Sequence, residues 1–324
     1  MSSKIEINYI HRFEFCDRGH FMIAKGISIF AALAAYCCFQ FLKYPHLNLL
    51  QQVATSVFFL CSGFGVAESY EKKRGFPHFW ENRIIKIWFP SLLALIVISL
   101  IERGNAIGWI GKYPIALKGN LLYLFFGNYL AFWLLFKLFD SKPARVIGLF
   151  VLAVGTLFIV ENTTLLRQLF CFPVGVMVSQ YGWKRKVRKF HWQGKLVTVA
   201  VSAGIAVGGW FLANSIQIPY INHLLWGISF MGGAIFILVG VYALQVIPVF
   251  GIFAPFGYMS YILFLIHRDF LQLAMGTQDW RVFAAVVAAL LAISLIGSWL
   301  LNQLVFLNKR LRRRKRTHLK GSMW

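Results

Sequence analysis

Residues 260–270 read SYILFLIHRDF, so a histidine, an arginine and an aspartate stand in succession inside a long apolar run. Ionisable groups such as His267, Arg268 and Asp269 are costly at membrane depth, and they face a bundle interior or a water-filled cavity. Imidazole titrates near neutral pH, which suits His267 to take a proton from a reacting hydroxyl. Ser260 lies seven residues earlier, on the same face of a helix. A plainer reading stands beside this one: the three residues satisfy one another and the neighbouring backbone, with no chemistry.

Three earlier stretches carry further candidates. The first apolar run, FMIAKGISIFAALAAYCCFQF, sets Lys25 about one turn inside its start and Tyr36 eleven residues on. At 100° per residue the two share one face, about 16 Å apart. Taken alone, Lys25 reads as a lysine reaching back to the surface and Tyr36 as an interfacial aromatic. In the second run, VFFLCSGF, Phe58 and Ser62 share a face, and Ser62 with Gly63 suits close helix packing. The stretch HFWENRIIKIWFP then sets Arg83 and Lys86 three apart, on one face, at the start of the third run. By themselves they are ordinary cytoplasmic-side cations. His20, His46, His78 and His223 fall near run ends and read as interfacial. Asn162-Thr163-Thr164 has the pattern of a glycosylation sequon. No Gly-rich phosphate loop, HExxH or GxSxG occurs, and the five cysteines form no CxxC pair. Neither a metal site nor a disulfide framework is expected from them.

The order of these motifs resembles the integral-membrane acyltransferase family of the acyltransferase-three type, known from bacterial O-acetyltransferases of surface glycans. That family has Phe-Phe-x-x-Ser-Gly in its second span, matched here by Phe58, Phe59, Ser62 and Gly63. A basic pair three apart and a following proline are matched by Arg83, Lys86 and Pro90, with Lys86 in place of the usual arginine. A late Gly-x-x-Ser-Tyr…Leu-x-His segment is matched by Gly257, Ser260, Tyr261, Leu265 and His267. The family's first span has a basic residue and then a histidine. Here Lys25 is present, but Tyr36 stands where the histidine would be. The resemblance covers nearly the whole chain and implies acyl transfer, usually of acetyl, from cytoplasmic acyl-CoA to a hydroxyl of a surface polysaccharide or a lipid-linked glycan. It implies Lys25, Arg83, Lys86, Phe58 and Phe59 as donor-binding residues, and His267, Tyr36 and Ser62 as catalytic positions. Acyl-CoA enters as co-substrate, and no permanently bound cofactor is implied. Tyrosine ionises near pH 10, so Tyr36 is not expected to be the base. His267 lies at a depth within about 6 Å of Tyr36 on a parallel-running span, and the two are expected to face one polar cavity.

The elements that must position these residues follow from composition. The chain has 324 residues, 59% hydrophobic and only 14% charged. Soluble domains are about 45–50% apolar and about 25% charged. An all-α, polytopic membrane bundle is expected, with no secretory signal peptide, because the first twenty residues are polar and basic. Runs of roughly 20 apolar residues mark spans. Ten are expected, at 21–41, 49–67, 84–101, 121–139, 144–160, 166–182, 196–213, 223–246, 256–275 and 281–306. With the N-terminus inside, 25 of the 33 lysines and arginines fall in inner segments and 6 in outer ones. This bias places both termini in the cytoplasm and the protein in the inner (plasma) membrane. The expected organisation is a cytoplasmic segment 1–20, a membrane domain 21–306 and a basic tail 307–324. The tail NKRLRRRKR reads as a topology and anionic-lipid anchor rather than a nucleic-acid module. Two other functions stay open: a catalytically degenerate relative, in which Tyr36 marks lost chemistry and the fold serves binding or translocation, and a transporter.

Overall fold

The computed structural model describes residues 13–42, 48–73, 75–91, 121–158, 166–245, 248–275 and 280–321. Among these residues there are helices and turns and no strands. Hydrocarbon supplies no hydrogen bonds, so an apolar run satisfies its backbone within one helix. The helices are α1 (Arg18–Leu42), α2 (Asn48–Lys73), α3 (Phe79–Arg83, running on into a π turn at Ile84–Trp88), α4 (Leu121–Leu138), α5 (Lys142–Thr156) and α6 (Cys171–Gln180). They continue as α7 (Trp183–Arg188), α8 (Trp192–Ser215), α9 (Pro219–Ala243), α10 (Ala254–Met275) and α11 (Trp280–Gly321).

Among the described residues, six helical segments are long and apolar enough to cross a membrane: Arg18–Cys38, Leu49–Lys72, Trp192–Ser215, Pro219–Ala243, Phe250–His267 and Arg281–Asn308. The apolar helices Leu124–Leu138 and Cys171–Gln180 are shorter. Within the expected span at 166–182 the helix is shorter than expected. Turns occupy 167–170, and the ten-residue α6 that follows is about 15 Å long, half of a hydrocarbon core. Of the expected third span, only the start, to Ser91, lies within the described residues.

The chain forms two compact units, Met1–Gly75 with Tyr113–Gly257 and Phe76–Lys112 with Tyr258–Trp324. In the first unit, α6 lies buried against α2. Two glycines permit the approach: a Cβ at Gly63 would run into the Phe172 carbonyl, and one at Gly175 into the Leu60 carbonyl. A second close approach joins α1 to the turn before α10, where Gly26 meets the Phe253 carbonyl and Gly257 meets the Met22 carbonyl. Asp17 caps α1, accepting the His20 N–H at 2.7 Å. His20, expected at the interface, is instead fully buried. Its Nδ1 accepts the Cys16 N–H at 3.0 Å, and its Nε2 donates to the Leu238 carbonyl at 2.8 Å. Phe13, Phe15 and Tyr242 enclose the ring. These bonds set the start of α1 beside the end of α9, so the two helices run antiparallel.

Charged groups gather at this end of the first unit. Glu14 pairs with Arg188 at 2.9 Å and Lys184 at 3.9 Å. Glu71 accepts from Gln180 Nε2 at 3.1 Å and lies 3.8 Å from Lys142. The second unit is simpler. Ile262, Leu263, Ile266 and Leu290 are buried, and Ile262 packs at Gly297, joining α10 to α11.

Candidate active site

The first unit holds Lys25, Tyr36, Phe58, Phe59 and Ser62, and brings Lys25 to Phe58. Along α1 a buried stripe runs through Ile29, Ala32 and Tyr36, the face that also carries half-buried Lys25. The Lys25 ammonium is 6.0 Å from the centre of the Phe58 ring. It lies over an aromatic face inside the unit, which its expected reach to the surface does not describe. Phe59 points elsewhere: it is fully buried and stacks on Phe125 at 3.9 Å, the geometry of a packing residue. The Ser62 hydroxyl hydrogen-bonds the Tyr129 hydroxyl. Tyr129 is buried, with Phe172 of α6 edge-on at 5.7 Å. The serine and glycine of the second-span motif thus divide their work. Gly63 admits α6, and Ser62 faces a tyrosine that α6 holds in place.

The second unit holds the rest. Arg83 ends α3, with its guanidinium 5.4 Å from the centre of the Phe79 ring. Lys86 lies inside the π turn and is exposed. A π turn takes its hydrogen bonds to i+5 and rotates less per residue than an α-helix. The two cations are therefore spread further around the axis than the expected shared face implies. The Ile87 carbonyl within this turn receives two side-chain hydroxyls: Tyr261 Oη at 2.9 Å and Ser91 Oγ, which are 3.0 Å from each other. Tyr261, the tyrosine of the late motif, thereby fastens the segment that carries Lys86.

His267 is buried two turns further along α10. Its Nδ1 stands 2.9 Å from the Phe264 carbonyl and 3.2 Å from the Leu263 carbonyl. A carbonyl only accepts, so Nδ1 carries the proton and Nε2 is the basic nitrogen. The side chains of Arg268 and Asp269 lie outside the described residues, as do His46 and the sequon at 162–164. His78 is exposed and pairs with Glu81 at 2.9 Å. Among the described residues no cluster of histidine, cysteine and carboxylates could hold a metal ion.

The family model for the acyltransferase domain, of the acyltransferase-three type, matches residues 21–303. The chain belongs to this acyltransferase family. No curated protein and no solved structure matches it. The match takes in every position of the four motifs, from Lys25 to His267. It makes this a membrane acyltransferase in general terms. Sequence reasoning missed Tyr129 and Ser91. Tyr129 had a signal, a tyrosine beside an asparagine in the apolar run FFGNYLAF; the π turn in IIKIW had none.

Proposed function

We propose that the protein is a ten-span inner-membrane O-acyltransferase that moves an acetyl or related acyl group from cytoplasmic acyl-CoA to a hydroxyl of a surface polysaccharide or lipid-linked glycan. The observation that carries the reading is the buried His267, whose Nδ1 proton is committed to helix carbonyls so that Nε2 can act as base. In the proposed step, the acceptor oxygen attacks the thioester carbonyl carbon while its proton passes to His267 Nε2. The new C–O bond forms, the tetrahedral oxyanion collapses, and the C–S bond breaks. The CoA thiolate leaves and takes the proton back from His267. General base action of this kind contributes about 10²–10⁴-fold in rate.

Arg83 and Lys86 hold donor phosphates in this reading. Arginine offers a bidentate fork, and Lys86 adds a point charge on an exposed turn. Within the first unit, Lys25 over Phe58 offers a positive group, Ser62 on Tyr129 a positioned hydroxyl and Tyr36 a hydrogen-bond donor. The basic end of the first unit agrees with a cytoplasmic donor side and cytoplasmic termini.

Tyr36 itself favours a second reading, that of a degenerate relative whose fold only binds or translocates. Labelled acetyl-CoA added to membranes with and without the protein separates the two. Transfer of label to a glycan, followed by mass analysis of the product, supports the enzyme and names its acceptor. Donor binding without transfer supports the degenerate reading.

A further inference from the structure

At the opposite end of the first unit from its charged loops, a polar cluster takes no part in the proposed proton transfer. Arg167 stands in the turns before α6, its guanidinium 4.7 Å from the centre of the Trp226 ring. Trp226 is buried with Phe230 and Ala213, and Leu49 and Val53 of α2 pack against them. His223, three residues before Trp226 on α9, lies within electrostatic reach of Arg167. Gln52, between Leu49 and Val53, accepts from Gln168 Nε2 at 2.7 Å through its Oε1. Gln168 is fully buried. Among the described residues, three buried atoms in the cluster have no hydrogen-bond partner: Arg167 Nε, His223 Nδ1 and Gln168 Oε1. Among the described residues no carboxylate pairs with Arg167.

A guanidinium taken partly out of water without a counter-charge is costly, as is each buried polar atom without a partner. The indole face fixes the plane of the guanidinium, and its fork matches the two oxygens of a carboxylate or phosphate. Arg167 and His223 present nitrogen to such an anion. The acceptor left over at Gln168 matches a hydroxyl beside the charge. Here we infer a binding subsite for an oxyanion, a carboxylate or phosphate flanked by hydroxyls, carried on an acidic sugar or a lipid headgroup. Its use as an acceptor subsite rests on the acyl-transfer reading; its anion affinity does not, so binding alone is the test.

Full-length protein in phosphatidylcholine nanodiscs is titrated with glucuronate, glucose 6-phosphate and neutral glucose. A parallel arm measures retention of phosphatidylglycerol against phosphatidylcholine by native mass spectrometry. The expected result is a preference of about tenfold or more for the anions in one arm, and the arm that shows it names the source. Arg167→Gln should lose about 10- to 100-fold of that affinity, the range for a charge-assisted hydrogen bond. Arg167→Lys, which keeps charge without the fork, should lose less. An unchanged melting midpoint shows that the fold survives, and Trp226→Phe provides the same test should Arg167→Gln not fold. Equal binding of anionic and neutral probes in both arms overturns the proposal, as does anion binding by Arg167→Gln at wild-type strength.

Discussion

His267 and Tyr36 differ in what their side chains can do at neutral pH. A phenol keeps its proton, whereas an imidazole with Nδ1 committed to carbonyls offers Nε2. Tyr36→Phe should therefore only reduce transfer, because it removes a hydrogen bond and leaves the base. If wild type is inactive and Tyr36→His gains transfer, the degenerate reading is the right one. His20 belongs to stability instead. His20→Ala leaves the Cys16 N–H without its acceptor and opens a cavity among Phe13, Phe15 and Tyr242. The expected loss is about 2–4 kcal/mol, read as a lower melting midpoint in detergent.

At the scale of elements, close helix approach is set by single glycines. Gly63→Ala would drive a methyl into the Phe172 carbonyl, while Gly65 on the same helix faces open space. Gly63→Ala should lower folded yield sharply, and Gly65→Ala should leave it unchanged or gain up to about 1 kcal/mol from helix propensity. Yield on size-exclusion chromatography checks both. The π turn is tested by Tyr261→Phe with Ser91→Ala, which strips both hydroxyls from the Ile87 carbonyl. Acyl-CoA should bind this pair several-fold more weakly if the turn positions Lys86. The sequence made much of this legible. Apolar runs announced the helices at 21–41, 49–67, 196–213, 223–246, 256–275 and 281–306, because hydrocarbon leaves an apolar run no other way to satisfy its backbone. Gly63 was legible as a packing residue. The shortness of α6 was not, because an apolar helix enclosed by protein and one that crosses lipid have the same composition. Nor was the burial of His20, which depends on Leu238, more than two hundred residues away.

For the whole molecule, the charge bias of 25 against 6 predicts sidedness. A reporter fused after Trp324 should read cytoplasmic and one inserted near Ile218 external; chain ends on opposite faces would contradict the ten-span arrangement. Donor binding is a separate quantity from transfer. Arg83→Ala together with Lys86→Ala should weaken acyl-CoA binding by about 10- to 100-fold with the fold intact. Unchanged binding would remove this pair from the donor site. The central claim is acyl transfer with His267 as base, and one comparison tests it most directly: the single-turnover rate of labelled acetyl transfer in membranes holding equal amounts of folded wild type and His267→Ala, both saturated with acetyl-CoA. The account predicts a fall of about 10²–10⁴-fold with donor binding preserved. Transfer by His267→Ala at the wild-type rate would contradict it, and would leave His267 a buried structural residue.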